Sequence, residues 1–256
     1  MVPNAPYLSA VVPCYNESEN LRRGVLEEMA EYLDARDFSY EVIISDDGSS
    51  DESREIVRRR LEDKPHFRLL ENEHGGKPHA VWQGIRAAEG EIVLITDMDQ
   101  STPIGQLEKL LPYFEQGYDV VIGSRGAGRE NFPLYRRMGS SVFRFFRRLL
   151  LLPDIEDTQC GFKALRTAVA REIFPQLEVI RGPVSVKGWK VTAFDVELLF
   201  LAKRTGYDIA EVAVEWADRD VSRRKGRSYL AESKEMAMQI MRVRFNAWRG
   251  FYTDND

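Results

Sequence analysis

The stretch Glu41-Val42-Ile43-Ile44-Ser45-Asp46-Asp47-Gly48-Ser49-Ser50-Asp51 decides the fold, because an apolar, β-branched run ends there in a cluster of acids. The same pattern returns in Glu91-Ile92-Val93-Leu94-Ile95-Thr96-Asp97-Met98-Asp99. Such runs are typical of strands buried in a parallel sheet. Since the ligand crevice of an open α/β sheet lies outside the carboxyl ends of its strands, both acidic clusters are predicted to face that crevice.

Strand-like and helix-like runs alternate along the chain around these two stretches. Strands are predicted at residues 8–14, 40–45, 67–71, 91–96, 118–123 and 209–216, and helices at about 19–35, 51–62, 78–88, 104–115, 134–152, 194–204 and 230–248. Residues 157–163 have the composition of a polar loop, and 175–190 are rich in turn formers. The alternation predicts an α/β domain with a mostly parallel central sheet flanked by helices.

Composition sets the broad class of the protein. The chain has 256 residues, 43% of them apolar and 30% charged, which suits a globular protein with a substantial core. The net charge of −5 gives no reason to expect a nucleic-acid partner. Two distant cysteines, Cys14 and Cys160, indicate neither a disulfide framework nor a zinc site. The chain shows no signal peptide and no apolar run of membrane-spanning length, so a cytoplasmic protein is predicted.

The sequence Asp97-Met98-Asp99 is the strongest single motif. Two carboxylates one residue apart at the end of a buried strand can bind a hard divalent cation, for which Mg²⁺ or Mn²⁺ is expected. The cation can in turn bind phosphate oxygens, and this predicts a substrate of nucleotide type.

Two further segments lie between a predicted strand and a predicted helix. In Pro13-Cys14-Tyr15-Asn16-Glu17, Pro13 is expected to stop the sheet ladder, and Tyr15 can stack on a base or pack on the sheet. In Gly75-Gly76-Lys77, the glycines and the lysine before a helix can contact a phosphate or a base edge, or they form an ordinary turn.

The order of these motifs, together with Gly123-Ser124-Arg125, resembles the inverting family-2 glycosyltransferases of GT-A (nucleotide-diphospho-sugar transferase) fold. The segments Asp157-Thr158-Gln159-Cys160-Gly161-Phe162-Lys163 and Phe194-Asp195-Val196-Glu197-Leu198 resemble the dolichyl-phosphate or polyprenyl-phosphate β-glucosyltransferases, and less closely the polyprenyl-phosphate mannosyltransferases. The similarity spans about residues 8–230.

The resemblance implies a role for each matching residue. The nucleotide would contact Pro13, Tyr15, Glu17, Asp46, Asp47, Lys77 and Asp97. Asp97 and Asp99 would bind the metal, while a third ligand is in doubt because Ser101, with Gln100 beside it, stands where some relatives have Gln or Asp. The catalytic candidates are Asp99, Arg125, Asp157 and Asp195, and the acceptor phosphate would face Arg125, Arg136 and Arg137. A loop with Arg224, Lys225 and Arg227 would close over the donor pyrophosphate.

The implied organisation is a single GT-A domain over 1–256, in which about 1–125 bind the nucleotide and about 126–256 bind the acceptor. A basic, aromatic helix at about 142–152 is predicted to lie on a membrane surface and so to deliver a lipid acceptor, although a core helix with a solvated basic face fits the same pattern. The terminal helix, with Arg242, Arg244, Trp248 and Arg249, can also contact lipid headgroups.

The implied activity is metal-dependent, inverting transfer of a hexose to a polyprenyl or dolichyl phosphate by a cytoplasmic protein peripherally bound to a membrane. UDP-glucose is the favoured donor and GDP-mannose the second, and a soluble acceptor remains an alternative. Two other classes stay open, a nucleotidyltransferase, which would release pyrophosphate, and a non-catalytic sugar-nucleotide binder.

Overall fold

The computed structural model describes residues 5–125, 152–182, 194–221 and 229–252, without the side chains of 229–237 and 239. Its centre is a seven-stranded sheet in the order β3-β2-β1-β4-β6-β5-β7. The strands are β1 (Leu8–Cys14), β2 (Tyr40–Asp46), β3 (Phe67–Glu71), β4 (Ile92–Ile95), β5 (Val120–Ser124), β6 (Lys163–Arg166) and β7 (Ile209–Ala213). All neighbouring strands run parallel except at β6, which is antiparallel to both β4 and β5.

Helices cover the sheet. Those in the described residues are α1 (Ser18–Arg22), α2 (Val25–Asp34), α3 (Ser53–Arg60), α4 (Lys77–Ala87), α5 (Leu107–Glu115), α6 (Thr167–Ile173), α7 (Glu178–Arg181), α8 (Phe194–Thr205) and α9 (Tyr229–Trp248). Short 3₁₀ turns at Ile104–Gln106 and Phe174–Gln176 precede α5 and α7. None of the helices in these ranges combines the length and the apolar composition that crossing a membrane requires.

The predicted α/β class and the mostly parallel sheet are confirmed. The six predicted strands are present within a few residues of their expected ends, while β6, α6 and α7 were not predicted, and α7 lies in the stretch that was expected to be rich in turns. The helix expected over 19–35 is two helices, because Gly24 between them has φ of +91°. The helix predicted at 134–152 lies outside the described residues except for Leu152.

The order of the strands reverses between β1 and β4. On one side of this pair the chain builds outwards through β2 and β3, and on the other side it continues through β6, β5 and β7. In open α/β sheets this switch point opens a crevice at the carboxyl ends of the two strands. Residues 15–17, after β1, and Asp97 and Asp99, after β4, therefore lie at the crevice.

Pro13 stops the ladder on one side only. The pairing of β1 with β4 ends at Val11, whose carbonyl accepts a hydrogen bond from the N–H of Thr96 (3.1 Å). Pro13 comes two residues later on the same edge and has no N–H to continue the ladder. On the other edge β1 continues to Cys14, whose carbonyl accepts a hydrogen bond from Asp47 (2.8 Å).

Helix α4 lies unusually close to β1 at Gly84. A Cβ atom on Gly84 would overlap Cγ1 of Val11, a fully buried residue in the middle of β1. Because α4 begins at Lys77, this close approach fixes the position of the glycine-rich loop and the lysine at the sheet edge.

We expect Gly84→Ala to lower the free energy of unfolding by about 1–2 kcal/mol. Overpacking against a stiff β-branched valine costs about 1–3 kcal/mol, and the better helix propensity of alanine returns only about 1 kcal/mol. Urea denaturation measures the change. Gln83→Ala, one position earlier in the same helix, is the control and is expected to change stability by less than about 0.5 kcal/mol. Equal effects of the two substitutions would contradict the close approach.

Candidate active site

Asp47, which directly follows β2, binds the loop before α4. Its carboxylate accepts hydrogen bonds from the N–H groups of Gly75 (2.8 Å) and Gly76 (2.9 Å) and lies 2.8 Å from Nδ1 of His74. Asp47 is fully buried, and burial raises the pKa of its carboxyl while the N–H of Gly75 and the charge of His74 oppose the shift. This acid therefore fixes the glycine-rich loop to the end of β2.

Asp46 organises the turn that follows it. Its Oδ1 accepts hydrogen bonds from the N–H groups of Gly48 and Ser49, both at 3.0 Å, and forms an ion pair with Arg54 at 2.5 Å. Its other oxygen is buried without a hydrogen-bond partner in the described part of the chain. Gly48, in this turn, has φ of +77°.

The segment after β1 lies beside this turn. The ring of Tyr15 stacks on His74 with a centroid distance of 4.6 Å and an interplanar angle of 18°. Glu17 is buried, and its carboxylate accepts a hydrogen bond from Asn20 (2.6 Å). The structure thus brings Pro13, Tyr15 and Glu17 to the same edge of the sheet as the two acids at the end of β2.

Asp97 forms an ion pair with Lys77 across the crevice, at 2.5 Å. The carboxylate of Asp97 also lies directly over Gly161, where an added Cβ would overlap it. Burial disfavours the ammonium of Lys77, but the charges of Asp97 and then Asp195 outweigh this effect and raise the pKa of the lysine. The lysine therefore stays charged in this acidic surrounding.

Asp99 follows on the same turn. Its Oδ1 accepts a hydrogen bond from the N–H of Ser101 (2.8 Å), and its main-chain carbonyl accepts one from Arg23 (2.5 Å). Burial, followed by the negative charge of Asp97, raises the pKa of Asp99. Two mutually repelling carboxylates are a donor set that a hard divalent cation would stabilise. In the described residues no third acidic, histidine or cysteine side chain completes a metal-binding group with them.

Gln100 and Ser101, at the position of the doubtful third ligand, are engaged locally. Gln100 has φ of +50°, is almost fully buried, and donates from its side-chain amide to the carbonyl of Asp97 (2.8 Å). The hydroxyl of Ser101 accepts a hydrogen bond from the N–H of Arg219 (3.2 Å). Both side chains thus stabilise the acidic turn.

Arg125, at the end of β5, is held by Asp157. The Nε and Nη2 atoms of the guanidinium donate to the two carboxylate oxygens of Asp157 at 2.7 and 2.8 Å, a bidentate arrangement. Burial disfavours the charge of Arg125, but Asp157 more than offsets this and raises the pKa of the guanidinium. The ring of Trp216 lies 5.8 Å from the guanidinium carbon.

Asp195, in the first turn of α8, forms an ion pair with Lys163 of β6, at 2.7 Å. Lys163 is 1% exposed, so loss of either partner would leave the other charge without its counter-ion. Asp195 also contributes to raising the pKa of Lys77 and, less strongly than Asp157, that of Arg125. The three ion pairs of the crevice therefore lie close enough for the charge of Asp195 to act on Lys77 and Arg125.

The segment after β7 crosses the acidic turn. The N–H of Ala217 donates to the carbonyl of Ser101 (2.9 Å), and Asn20 donates to Asp220 (3.0 Å). Arg23, in the break between α1 and α2, donates to the main-chain carbonyl of Arg219 as well as to that of Asp99. The predicted basic loop follows residue 221 and lies outside the described residues.

Several predicted site residues cannot be placed. Residues Arg136, Arg137, Arg224, Lys225 and Arg227 lie outside the described residues, as do 142–151 of the predicted amphipathic helix.

Sequence reasoning missed the roles of Lys163, Arg23 and His74. Lys163 is the last residue of the motif at 157–163, but its burial becomes evident only when β6 pairs with its neighbouring strands. The sequence Arg23-Gly24 marks a helix break, whereas the carbonyls that Arg23 binds are distant in sequence.

We expect Lys163→Met to lower the free energy of unfolding by about 3 kcal/mol, because it leaves a largely buried Asp195 without its counter-ion. Lys203→Met removes the same kind of side chain from an exposed pair with Asp154, and should cost less than about 1 kcal/mol. Urea denaturation of both variants measures the difference. Similar losses for the two variants would show that the buried pair contributes no more than a surface pair.

Comparison with known proteins agrees with this architecture. The model of the family "Glycosyl transferase family 2" matches residues 9–174. The chain is 35% identical to a dolichyl-phosphate beta-glucosyltransferase of Dictyostelium discoideum, over 96% of this chain and 76% of that protein. It is 34% identical to the dolichyl-phosphate beta-glucosyltransferase of Mus musculus, over 94% of this chain and 77% of that protein.

Solved structures share the fold. Glucosyl-3-phosphoglycerate synthase from Mycobacterium tuberculosis, in complex with Mn²⁺, UDP and glucosyl-3-phosphoglycerate, superposes with a TM-score of 0.61 at 20% identity, over 94% of this chain and 79% of that one. The mannosyltransferase PcManGT from Pyrobaculum calidifontis, in complex with GDP-Man and Mn²⁺, gives 0.55 at 20% identity, over 99% and 77%. Both are glycosyltransferases of GT-A fold. The chain therefore belongs to glycosyl transferase family 2 and is a hexosyltransferase of GT-A fold.

Proposed function

We propose that the protein transfers glucose from UDP-glucose to dolichyl phosphate or a related polyprenyl phosphate, with inversion at the anomeric carbon. The observation that carries the proposal is the 35% identity to a dolichyl-phosphate beta-glucosyltransferase over 96% of the chain. The crevice at the switch point supports it, because cationic and anionic side chains converge there in three ion pairs.

The nucleotide is proposed to bind in the half formed by about residues 1–125. Asp47 and the glycine-rich loop form the wall of this half, with the stacked rings of Tyr15 and His74 beside them. The residues assigned to nucleotide contact are Pro13, Tyr15, Glu17, Asp46, Asp47, Lys77 and Asp97. The loop with Arg224, Lys225 and Arg227 is assigned to the donor pyrophosphate, since the segment that leads into it crosses the acidic turn.

Asp97 and Asp99 are proposed to hold Mg²⁺ or Mn²⁺. When bound, the cation would neutralise the charge that develops on the nucleoside diphosphate as it leaves. Lys77 can support the same charge from the opposite wall, because it already lies 2.5 Å from Asp97. The N–H of Ser101 binds the carboxylate of Asp99, and Arg23 binds the main-chain carbonyl of the same residue, so both contacts orient Asp99.

The acceptor is proposed to bind in the half formed by about residues 126–256. Its phosphate is an anion at neutral pH, so it needs cations more than it needs a strong general base. Arg125 can bind it bidentately in exchange for Asp157, with Arg136 and Arg137 as further candidates. Asp195 lies at the same site, where Lys163 holds it in an ion pair.

The proposed step is a single displacement. An oxygen of the acceptor phosphate attacks the anomeric carbon, the bond from that carbon to the diphosphate oxygen breaks, and the nucleoside diphosphate leaves with the bonding electrons.

Because a lipid acceptor resides in a bilayer, we also propose peripheral binding to a membrane from the cytoplasm, with about 142–152 as one contact.

We expect the purified protein to release UDP from UDP-glucose only when Mn²⁺ or Mg²⁺ and a short polyprenyl phosphate are both present. Asp99→Ala should lower the rate by roughly a hundredfold or more, since several kcal/mol of charge stabilisation are lost. Chromatographic measurement of nucleoside diphosphate release checks both statements. Parallel reactions with GDP-mannose test the second donor.

Other outcomes of the same assay would reject the proposal. Donor binding without lipid-dependent release would point to a soluble acceptor or to a binding protein, and release of pyrophosphate would indicate a nucleotidyltransferase.

We further expect Gly161→Ala to lower kcat/KM for UDP-glucose by roughly a hundredfold, because the new methyl group must displace the carboxylate of Asp97. Steady-state kinetics with varied donor measures the loss. Gly182→Ala is the matched control, since a Cβ there would lie 3.5 Å from the nearest atom, the carbonyl oxygen of Glu178. Normal kinetics in Gly161→Ala would show that the placement of Asp97 is irrelevant to turnover.

A further inference from the structure

The terminal helix α9 has two different faces over its last turns. One face packs on the core through the buried side chains of Ile240, Val243 and Asn246. On the opposite face lies an exposed apolar stripe formed by Met238, Met241, Phe245 and Trp248. Their spacing of three, four and three residues places them along one side of a helix. Trp248 is 81% exposed and Met241 62% exposed, which is unusual for such large apolar side chains.

Arginines border the apolar stripe on both sides. With 3.6 residues per turn, Arg244 lies along one edge of the stripe, and Arg242 and Arg249 lie along the other. The guanidinium carbon of Arg249 lies 4.6 Å from the ring centre of Phe245, so the cationic and apolar groups form one surface. Residues 238–252 contain no acid, although the whole chain carries a net charge of −5. Because Arg242 forms an ion pair with Glu178, the cationic character of this surface comes from Arg244 and Arg249.

The helix is fixed to the part of the molecule that bears Asp195. Asn246 donates a hydrogen bond to Glu178 (2.8 Å), and the hydroxyl of Tyr252 donates one to the buried Glu197 (2.8 Å). Glu197 lies two residues after Asp195 in the first turn of α8. A partner that binds the outer face of α9 is thus held in a fixed orientation relative to the crevice.

We propose that this outer face of α9 docks the protein on a membrane that contains anionic lipids. Apolar and aromatic side chains bordered by arginines match the boundary between acyl chains and phosphate headgroups. A tryptophan suits this boundary because its ring is amphipathic. A second copy of the chain fits the face less well, since a two-fold pairing of the same surface would bring its arginines together.

This inference rests on the proposed function, because docking on a membrane serves an enzyme whose acceptor is a lipid. Vesicles without any polyprenyl phosphate test the docking separately from the transfer reaction. The full chain is floated with vesicles of phosphatidylcholine, with or without phosphatidylglycerol. We expect binding to the anionic vesicles, weakened by salt. Phe245→Ser with Trp248→Ser should weaken it by roughly tenfold or more, because apolar area stays in water. Arg244→Gln with Arg249→Gln should weaken it by roughly thirtyfold, at about 1 kcal/mol for each arginine.

The matched control removes two other exposed arginines, Arg58 and Arg59 of α3, as Arg58→Gln with Arg59→Gln, and is expected to leave vesicle binding unchanged. As a second readout, brominated lipids should quench tryptophan fluorescence on binding. Trp248→Phe should lose much of this quenching while it still floats with the vesicles.

Three results would overturn the proposal. These are absent vesicle binding by the parent chain, equal weakening by the control, and a dimer in sedimentation velocity that Phe245→Ser with Trp248→Ser dissociates. Vesicle binding without lipid-dependent transfer would leave the docking face in place and reject the acceptor. Lipid-dependent transfer without vesicle binding would support the lipid acceptor and reject the docking face.

Discussion

Pro13 has no N–H group to donate towards β4, so the ladder between β1 and β4 ends at Val11 while β1 continues beside β2. The two strands separate at this point, and the chain after each of them turns away from the sheet. One turn carries Tyr15 and Glu17, and the other carries Asp97 and Asp99. The rest of the crevice is arranged around this gap, because the glycine-rich loop, β6 and the segment after β7 all contact one of its edges.

Three acids of the crevice each form an ion pair with a cation. Asp97, Asp157 and Asp195 each face one cation, namely Lys77, Arg125 and Lys163, at 2.5–2.7 Å. Because these three cations already contact carboxylate oxygens, the crevice can exchange an internal ion pair for a contact to a phosphate oxygen.

Local patterns revealed much of this arrangement in the sequence. The strands β1, β2, β4 and β5, and the acids that follow β2 and β4, were predictable because a β-branched run and the residues that follow it are adjacent in the chain. Strand β6 was not, because its four residues include two charged ones and it forms only by pairing with β4 and β5. The ion-pair partners were equally hidden, since Lys77 and Asp97 are twenty residues apart and Lys163 and Asp195 thirty-two.

Arg23 joins parts of the chain that are nearly two hundred residues apart. From the break between α1 and α2, its guanidinium binds the carbonyl of Asp99 and that of Arg219. The acidic turn and the segment after β7 are thereby tied to a single guanidinium group. A displacement of that segment would be transmitted to Asp99 through the two hydrogen bonds of Arg23 and would change the position of the Asp99 carboxylate.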